Sequence, residues 1–414
     1  MNKSSEMNKS GVMNKSGEMN KSSEMSKSGV TNMLAYRFYF AVSPFLFLAI
    51  LILVLLVSPL NLAQPVSAQS ERHYKAALPG YKYSFPADHF SHDQFKTEWW
   101  YYTGHLKSED GRRFGFELTF FRNGADKEPL NKKNAWALEN FYMAHFAVTD
   151  ESGKTFRFYE KLNRKALGLA DARQDAYYVF NEGWSVEKLG EHYLLRAGAK
   201  DYSIHLLLKS AKPPVIHGVN GVSQKASCAG CASHYYSMTR MSAEGNIFIG
   251  EKPLAVTGQV WMDHEFGSNQ LTGDQVGWDW FSMQLADNRE VMLYMMRRAD
   301  GTLEKESSGT VVYPDGKSKH LRLGDFTVSK LSTWKSPKSG GVYPSGWQVQ
   351  IPSEALTLTL KPILVDQELK TERSTGVSYW EGAVEIAGKS KDKPVSGEGY
   401  VEMTGYAEKF NKKL

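Results

Sequence analysis

The sequence predicts an all-β protein made of two tandem β-barrel or sandwich halves that arose by internal duplication. Three observations predict it. Phe114-Gly-Phe-Glu-Leu-Thr-Phe120 alternates apolar residues with small or polar ones, the period of a strand. Asp110-Gly111 and Asp315-Gly316 punctuate such runs as hairpin turns, and no long helical pattern follows residue 69. Third, the string Val256-Thr-Gly-Gln-Val-Trp-Met-Asp263 has an echo in Val395-Ser-Gly-Glu-Gly-Tyr-Val-Glu402, which places Trp261 with Asp263 in one copy and Tyr400 with Glu402 in the other. Repeats of this kind are sought before any fold is assigned.

The elements follow in chain order. Residues 1–36 open with five hexapeptide units of the MNKSSE type, lack apolar periodicity and are expected to be disordered. Arg37, the apolar run from Phe38 to Leu60 and Gln64-Pro-Val-Ser-Ala68 make residues 37–68 a signal peptide, with cleavage expected after Ala68 and an exported, periplasmic or secreted product. The alternative is an uncleaved N-terminal membrane anchor. Without that leader, 44 basic and 42 acidic residues remain, a net charge of about +2. That balance lacks the basic footprint of a nucleic-acid binder.

Within residues 75–267 and 268–414 three elements recur in the same order. Trp99-Trp-Tyr-Tyr-Thr-Gly-His-Leu106 with Phe114–Arg122 describes a hairpin, matched by Trp278-Asp-Trp-Phe-Ser-Met-Gln-Leu285 with Val291–Arg297. Ser233-His-Tyr-Tyr-Ser237 corresponds to Val377-Ser-Tyr-Trp-Glu381, and the Trp261 and Tyr400 motifs close each half. Aromatic residues at 13% point to an apolar lumen inside a barrel.

The motifs K-T-E-W-W-Y-Y-T-G-H-L (96–106), S-H-Y-Y-S-M-T-R (233–240), V-T-G-Q-V-W-M-D-H-E-F-G (256–267) and Y-W-E-G-A-V (379–384) resemble the AttH-like/carotenoid 1,2-hydratase family, also called hydroxyneurosporene synthase-like. The resemblance implies two lipocalin-like halves. The expected lumen points first to an exported protein binding an apolar isoprenoid, carotenoid or lipid-like ligand; the resemblance implies as alternatives hydration of a terminal double bond in acyclic carotenoids, or an accessory subunit of an inner-membrane transport complex of the ABC type. Hydratases of the family carry an aromatic-x-Asp element and a His-x-aromatic element. By resemblance Trp261, Asp263, His234 and Tyr236 fall on them.

The chemistry agrees with those residue types. Hydrating an unactivated alkene needs a carboxylic acid kept protonated by an apolar pocket, aromatic faces to stabilise a carbocation, and a positioned water. Asp263 is expected to act as the acid, on one face with Trp261. His234, on one face with Tyr236, orients water. Trp99, Trp100, Tyr101, Glu98, His145, Trp278 and Trp280 are the expected ligand contacts. Each has a structural reading beside the functional one: core packing for the aromatics, a satisfied core histidine at His145, strand-end capping for Asp263. Cys228 and Cys231, the only cysteines, are expected to form a local disulfide in an exported protein. Zinc held by Cys228, Cys231, His234 and a carboxylate is the alternative. No other motif asks for a metal or cofactor. The first half alone combines Asp263 with a matched upstream histidine, and the site is expected there.

Overall fold

In the computed structural model the described residues are 69–409, apart from 135. The expected leader, signal peptide and anchor lie outside them. Among the described residues no helix is long and apolar enough to cross a membrane.

Ten strands build the region of interest. They are β1 (Thr97–Ser108), β2 (Arg113–Gly124), β3 (Asn140–Asp150), β4 (Thr155–Arg164), β5 (Ala232–Ile249), β6 (Lys252–Gly267), β7 (Gln275–Leu285), β8 (Glu290–Arg298), β9 (Val377–Ser390) and β10 (Lys393–Thr404). The first sheet runs β4-β3-β2-β1-β6-β5 and continues through Tyr202–Ser210, His192–Gly198, Trp184–Leu189, Tyr178–Asn181 and Ala170–Ala172. It curls into a nearly closed barrel, laced at its seam by Asn163 Nδ2 donating to Asn181 Oδ1 (2.7 Å) and Asn181 Nδ2 donating to Tyr142 O (3.1 Å). The second sheet places β8, β7, β10 and β9 consecutively, flanked by Ser308–Val312 and Ser318–Arg322 on one side. Leu356–Pro362, Trp347–Ile351 and Thr327–Lys330 flank the other side. All pairings are antiparallel.

The strand register makes the duplication explicit. Leu106 of β1 faces Gly258 of β6, and Leu285 of β7 faces Gly397 of β10. Ser237 faces Asp263 in the first half where Glu381 faces Glu402 in the second. The shared glycine also has a physical reason. A Cβ at Gly258 would meet His105 O at 2.0 Å, and one at Gly397 would meet Gln284 O at 2.5 Å. Only glycine permits that approach of neighbouring backbones.

Each half has a packed interior. Trp100, Tyr102, Phe116, Leu118 and Met262 belong to the first core, and Phe281, Met283, Trp347, Trp380 and Met403 to the second. The expected apolar lumen is corrected in place: these aromatics pack into the two cores, and the aromatic-lined cavity lies between the sheets. The same strands also bury their other face. Tyr101, Tyr235 and Trp261 from the first sheet pack with Trp280, Tyr294, Met296 and Tyr400 from the second. Polar bonds tie this contact, with Thr149 Oγ1 donating to Gln367 Oε1 (2.6 Å) and Lys212 paired to Glu290 (2.7 Å).

Gly258→Ala is expected to lower stability by about 2 kcal/mol through overpacking, measured by urea unfolding. Gly273→Ala, where an added Cβ meets nothing within 4 Å, is expected to change stability by less than about 0.5 kcal/mol.

Candidate functional site between the two sheets

Residues along a strand alternate faces, so register decides which side chains meet. In β5 and β6 Asp263 lies opposite Ser237 and Glu265 opposite Tyr235, whereas His264 lies opposite Tyr236 and Phe266 opposite His234. The expected partnership of Asp263 with His234 and Tyr236 is thereby corrected. They occupy opposite faces of one sheet, because the pairing of β5 with β6 sets two independent parities against each other.

On the outer face, between the sheets, lies a cavity of about 470 Å³, within the range of small-molecule sites. Trp99, Tyr101, His145, Asp263, Trp278 and Trp280 all line it. Trp261 is buried just behind and donates its indole N–H to Asp263 Oδ1 at 2.6 Å. Five carboxyl groups face the same space: Glu117 from β2, Asp263 and Glu265 from β6, Glu381 from β9 and Glu402 from β10. Each half contributes, so the expected confinement of the site to the first half is also corrected.

Burial sets the protonation of four of these groups. It pushes Glu117 up to about 8, against the hydrogen bond from Thr119 and with the help of Glu402. It pushes Glu402 up to about 7 and Glu381 well above the usual carboxylate range. Glu381 and Glu402 are direct cross-strand neighbours, an arrangement in which two negative charges repel. Glu381 Oε1 accepts the Tyr101 hydroxyl at 2.7 Å. Its Oε2, like Oε2 of Glu117, is buried without a hydrogen-bond partner among the described residues. Asp263 differs. Ser237, Trp261 and Tyr235 (2.8 Å) all donate to it and oppose the rise, yet burial outweighs them and Asp263 still stands at about 7. Glu265 instead pairs with the buried Lys225 ammonium at 2.9 Å. His145 is held neutral, lowered to about 3 by burial, with Nδ1 bonded to Tyr379 Oη (2.7 Å) and Nε2 to Ser374 Oγ (2.9 Å).

Glu98, Trp100, His234 and Tyr236, expected at the site, are elsewhere. They sit on the inner face at one end of the first barrel. Trp100 belongs to the barrel core and stacks on His264 at 4.8 Å. The Tyr236 hydroxyl joins His89 Nδ1 (2.6 Å) to His264 Nδ1 (3.0 Å). His234 bonds Gly221 O (2.7 Å) and stacks on Tyr81. Fully buried Glu98 accepts from His92 and His264 on Oε1, both at 2.8 Å, and from Arg122 Nε on Oε2 at 3.0 Å. Burial raises the Glu98 carboxyl, but Arg122 and the histidines outweigh it and hold the group well below its usual range. His92, Glu98 and His264 lie close enough to chelate a metal. The guanidinium already on Glu98 balances its charge and would repel a second cation, so the cluster reads as a buried ion-pair lock.

Cys228 and Cys231 form a disulfide with Cα atoms 5.3 Å apart. With both sulfurs in the disulfide, neither offers the thiolate that the zinc alternative requires.

Sequence reasoning missed Glu117, Glu381, Glu265 and Lys225 as site residues. A signal was present. The aromatic-x-acid spacing that marked Trp261 and Asp263 also holds for Tyr379 and Glu381, and for Tyr400 and Glu402.

Two outcomes check this electrostatic picture. Glu98→Ala leaves the buried Arg122 with only the more distant Asp93, 3.5 Å away, to balance its charge, and is expected to cost about 3 kcal/mol by urea unfolding. Glu117 titrates higher folded than unfolded, so its contribution to stability is complete below about 4.5 and is lost as pH rises through about 8. Glu117→Gln should therefore lose less stability than the parent between pH 5 and 9, measured by the same unfolding curves.

Comparison with known proteins places this architecture. A protein described as an AttH from Nitrosomonas europaea is 29% identical, aligns over 80% of this chain and 99% of its own, and superposes with a TM-score of 0.72. Kievitone hydratase from Nectria haematococca has the same fold at 13% identity, over 82% of this chain and 98% of its own, with a TM-score of 0.62. No curated protein matches the sequence. The AttH-like family profile matches residues 76–406, and the chain belongs to that family.

Proposed function

We propose that this protein binds an apolar, unsaturated small molecule between its two sheets and hydrates a carbon–carbon double bond in it by acid catalysis. The observation that carries the reading is the set of carboxyl groups, Glu117, Glu381, Glu402 and Asp263, buried in an aromatic-walled cavity and raised in pKa by that burial. A carrier needs no such groups, and burying them costs stability. Alkene hydration needs a neutral acid inside a dry pocket.

Glu381 is the proton donor in this reading. Its Oε1 is held by Tyr101, and the unpartnered Oε2 carries the proton. That proton passes to one alkene carbon, a C–H bond forms, and the π electrons leave a carbocation on the other carbon. The faces of Trp280 and Tyr101 stabilise the charge through their quadrupoles. Water adds its oxygen to the cation, and its released proton passes to Asp263 in its carboxylate form, which three hydrogen-bond donors help to support against burial. Proton exchange from Asp263 to Glu381 restores the start. His145 has both ring nitrogens engaged, so it positions Tyr379 rather than acting as a base. We place the reaction outside the cytoplasm on the strength of the leader sequence.

The test uses an acyclic isoprenoid with a terminal trisubstituted double bond, incubated in ¹⁸O-labelled water and analysed by mass spectrometry. The expected outcome is a labelled tertiary alcohol, with at least about 100-fold less from Glu381→Gln while native mass spectrometry shows the variant still retaining the probe. Retention by the parent protein with no label incorporated would leave a carrier and remove the hydratase.

A further inference from the structure

The register of the first sheet sets one continuous row of side chains along the cavity wall. Leu162 faces Met143, Met143 faces Phe121, Phe121 faces Trp99, Trp99 faces Glu265, and Glu265 faces Tyr235. All six line the cavity. The row crosses five inter-strand gaps, a path of about 24 Å along the curved sheet at the usual strand spacing. Its chemistry is graded. Four consecutive residues are apolar, and the far end carries Glu265 with the Lys225 ammonium.

Lys225 is built into that end. Its backbone N–H donates to Cys231 O (2.9 Å), and its carbonyl accepts from Gln275 Nε2 (2.8 Å), so the disulfide loop and β7 fix it on both sides. Its Nζ lies 2.9 Å from Glu265 and 3.3 Å from Ser223 Oγ, with the Tyr294 and Tyr235 rings at 4.3 and 5.1 Å. An ammonium has three N–H donors; Ser223 Oγ accepts one, and Glu265 balances the charge. At the opposite end Leu162 is 46% exposed and its neighbour Phe141, also in the cavity wall, is 39% exposed. The apolar end is thus the mouth.

We infer that the cavity takes a rod-shaped ligand lying across the strands, with an apolar tail at Leu162 and a neutral oxygen acceptor, such as a carbonyl, held by Lys225. The acceptor is neutral because Glu265 already balances Lys225, and a further anion would stand beside Glu265, Asp263 and Glu402. This orientation rests on the reading that the inter-sheet cavity is the ligand site. It runs the ligand past Tyr101 and Asp263, which lie one row away on the same face, and so sets which bond of the chain reaches the acids.

The experiment measures quenching of the tryptophan fluorescence of the full chain, since Trp99, Trp278 and Trp280 line the cavity, by 2-heptadecanone and by heptadecane. The ketone is expected to bind about tenfold more tightly than the hydrocarbon. In the charge-neutral double variant Lys225→Met with Glu265→Gln, the two should bind within about twofold of each other, with heptadecane bound as in the parent and so reporting an intact cavity. Leu162→Asp, at the exposed end, should weaken 2-heptadecanone and spare 2-undecanone. A ketone advantage that survives the double variant overturns the anchor, and equal loss of both ketones from Leu162→Asp overturns the orientation. If the parent protein binds neither the ketone nor heptadecane, the cavity reading fails along with this one.

Discussion

The two sheets bury their outer faces on each other, and that contact makes the central strands two-sided. In an isolated barrel β1, β2 and β6 would show alternate residues to water. Here ten of the twelve residues of β1 and all of the last eight of β6 are buried. A strand with two dry faces places two sets of polar groups out of water, and each set must be satisfied separately. The chemistry of the protein follows from how differently the two faces meet that demand.

On the inner face the demand is met by opposite charge. Glu98 sits among Arg122, His92 and His264, and its carboxylate stays ionised at zero exposure. Such a lock holds the first barrel's end in one geometry, and its worth lies in leaving no member unpaired. On the outer face it is met by neutralisation. Glu117 and Glu381 are each 1% exposed, lack a cation, and keep their protons. One sheet therefore presents an ionised network inward and proton-bearing acids outward, a few ångströms apart through the same backbone. The halves also divide the outer task. Where the first half sets Ser237 against Asp263, so that a hydroxyl donates to the carboxyl, the second sets Glu381 against Glu402, so that two carboxyls adjoin. The serine at one position and the glutamate at its counterpart thus place a hydroxyl-bonded acid and a pair of adjoining acids on one cavity.

Much of this was legible in the residues. The alternation at Phe114–Phe120, the turn signals and the repeated Val-hydroxyl-Gly motif gave the fold, and the matched elements align in register as the repeats proposed. Aromatic-x-acid spacing put Trp261 and Asp263 on one face, where they hydrogen-bond. The partner of Asp263 was not legible. Which residues of β5 meet which of β6 depends on the pairing register and on the bulge between Met238 and Met241, and a shift of one residue exchanges the faces. Glu117 was hidden for another reason. Alternation marks a polar residue in a strand as solvent-facing, and only the docking of the second sheet turns that face into a dry wall. Lys225 sits in an irregular loop, where periodicity says nothing.

The central claim is that the cavity holds carboxylic acids in their neutral form at physiological pH. Carbon-13 NMR of protein labelled at the glutamate and aspartate side-chain carboxyls, titrated from pH 4 to 9 and assigned with Glu117→Gln and Glu381→Gln, tests it most directly. The account predicts that the Glu117 and Glu381 resonances keep the chemical shift of protonated carboxyls at pH 7, with Glu117 changing near pH 8. Resonances that titrate at or below about 4.5, the range of solvated glutamates, would contradict it.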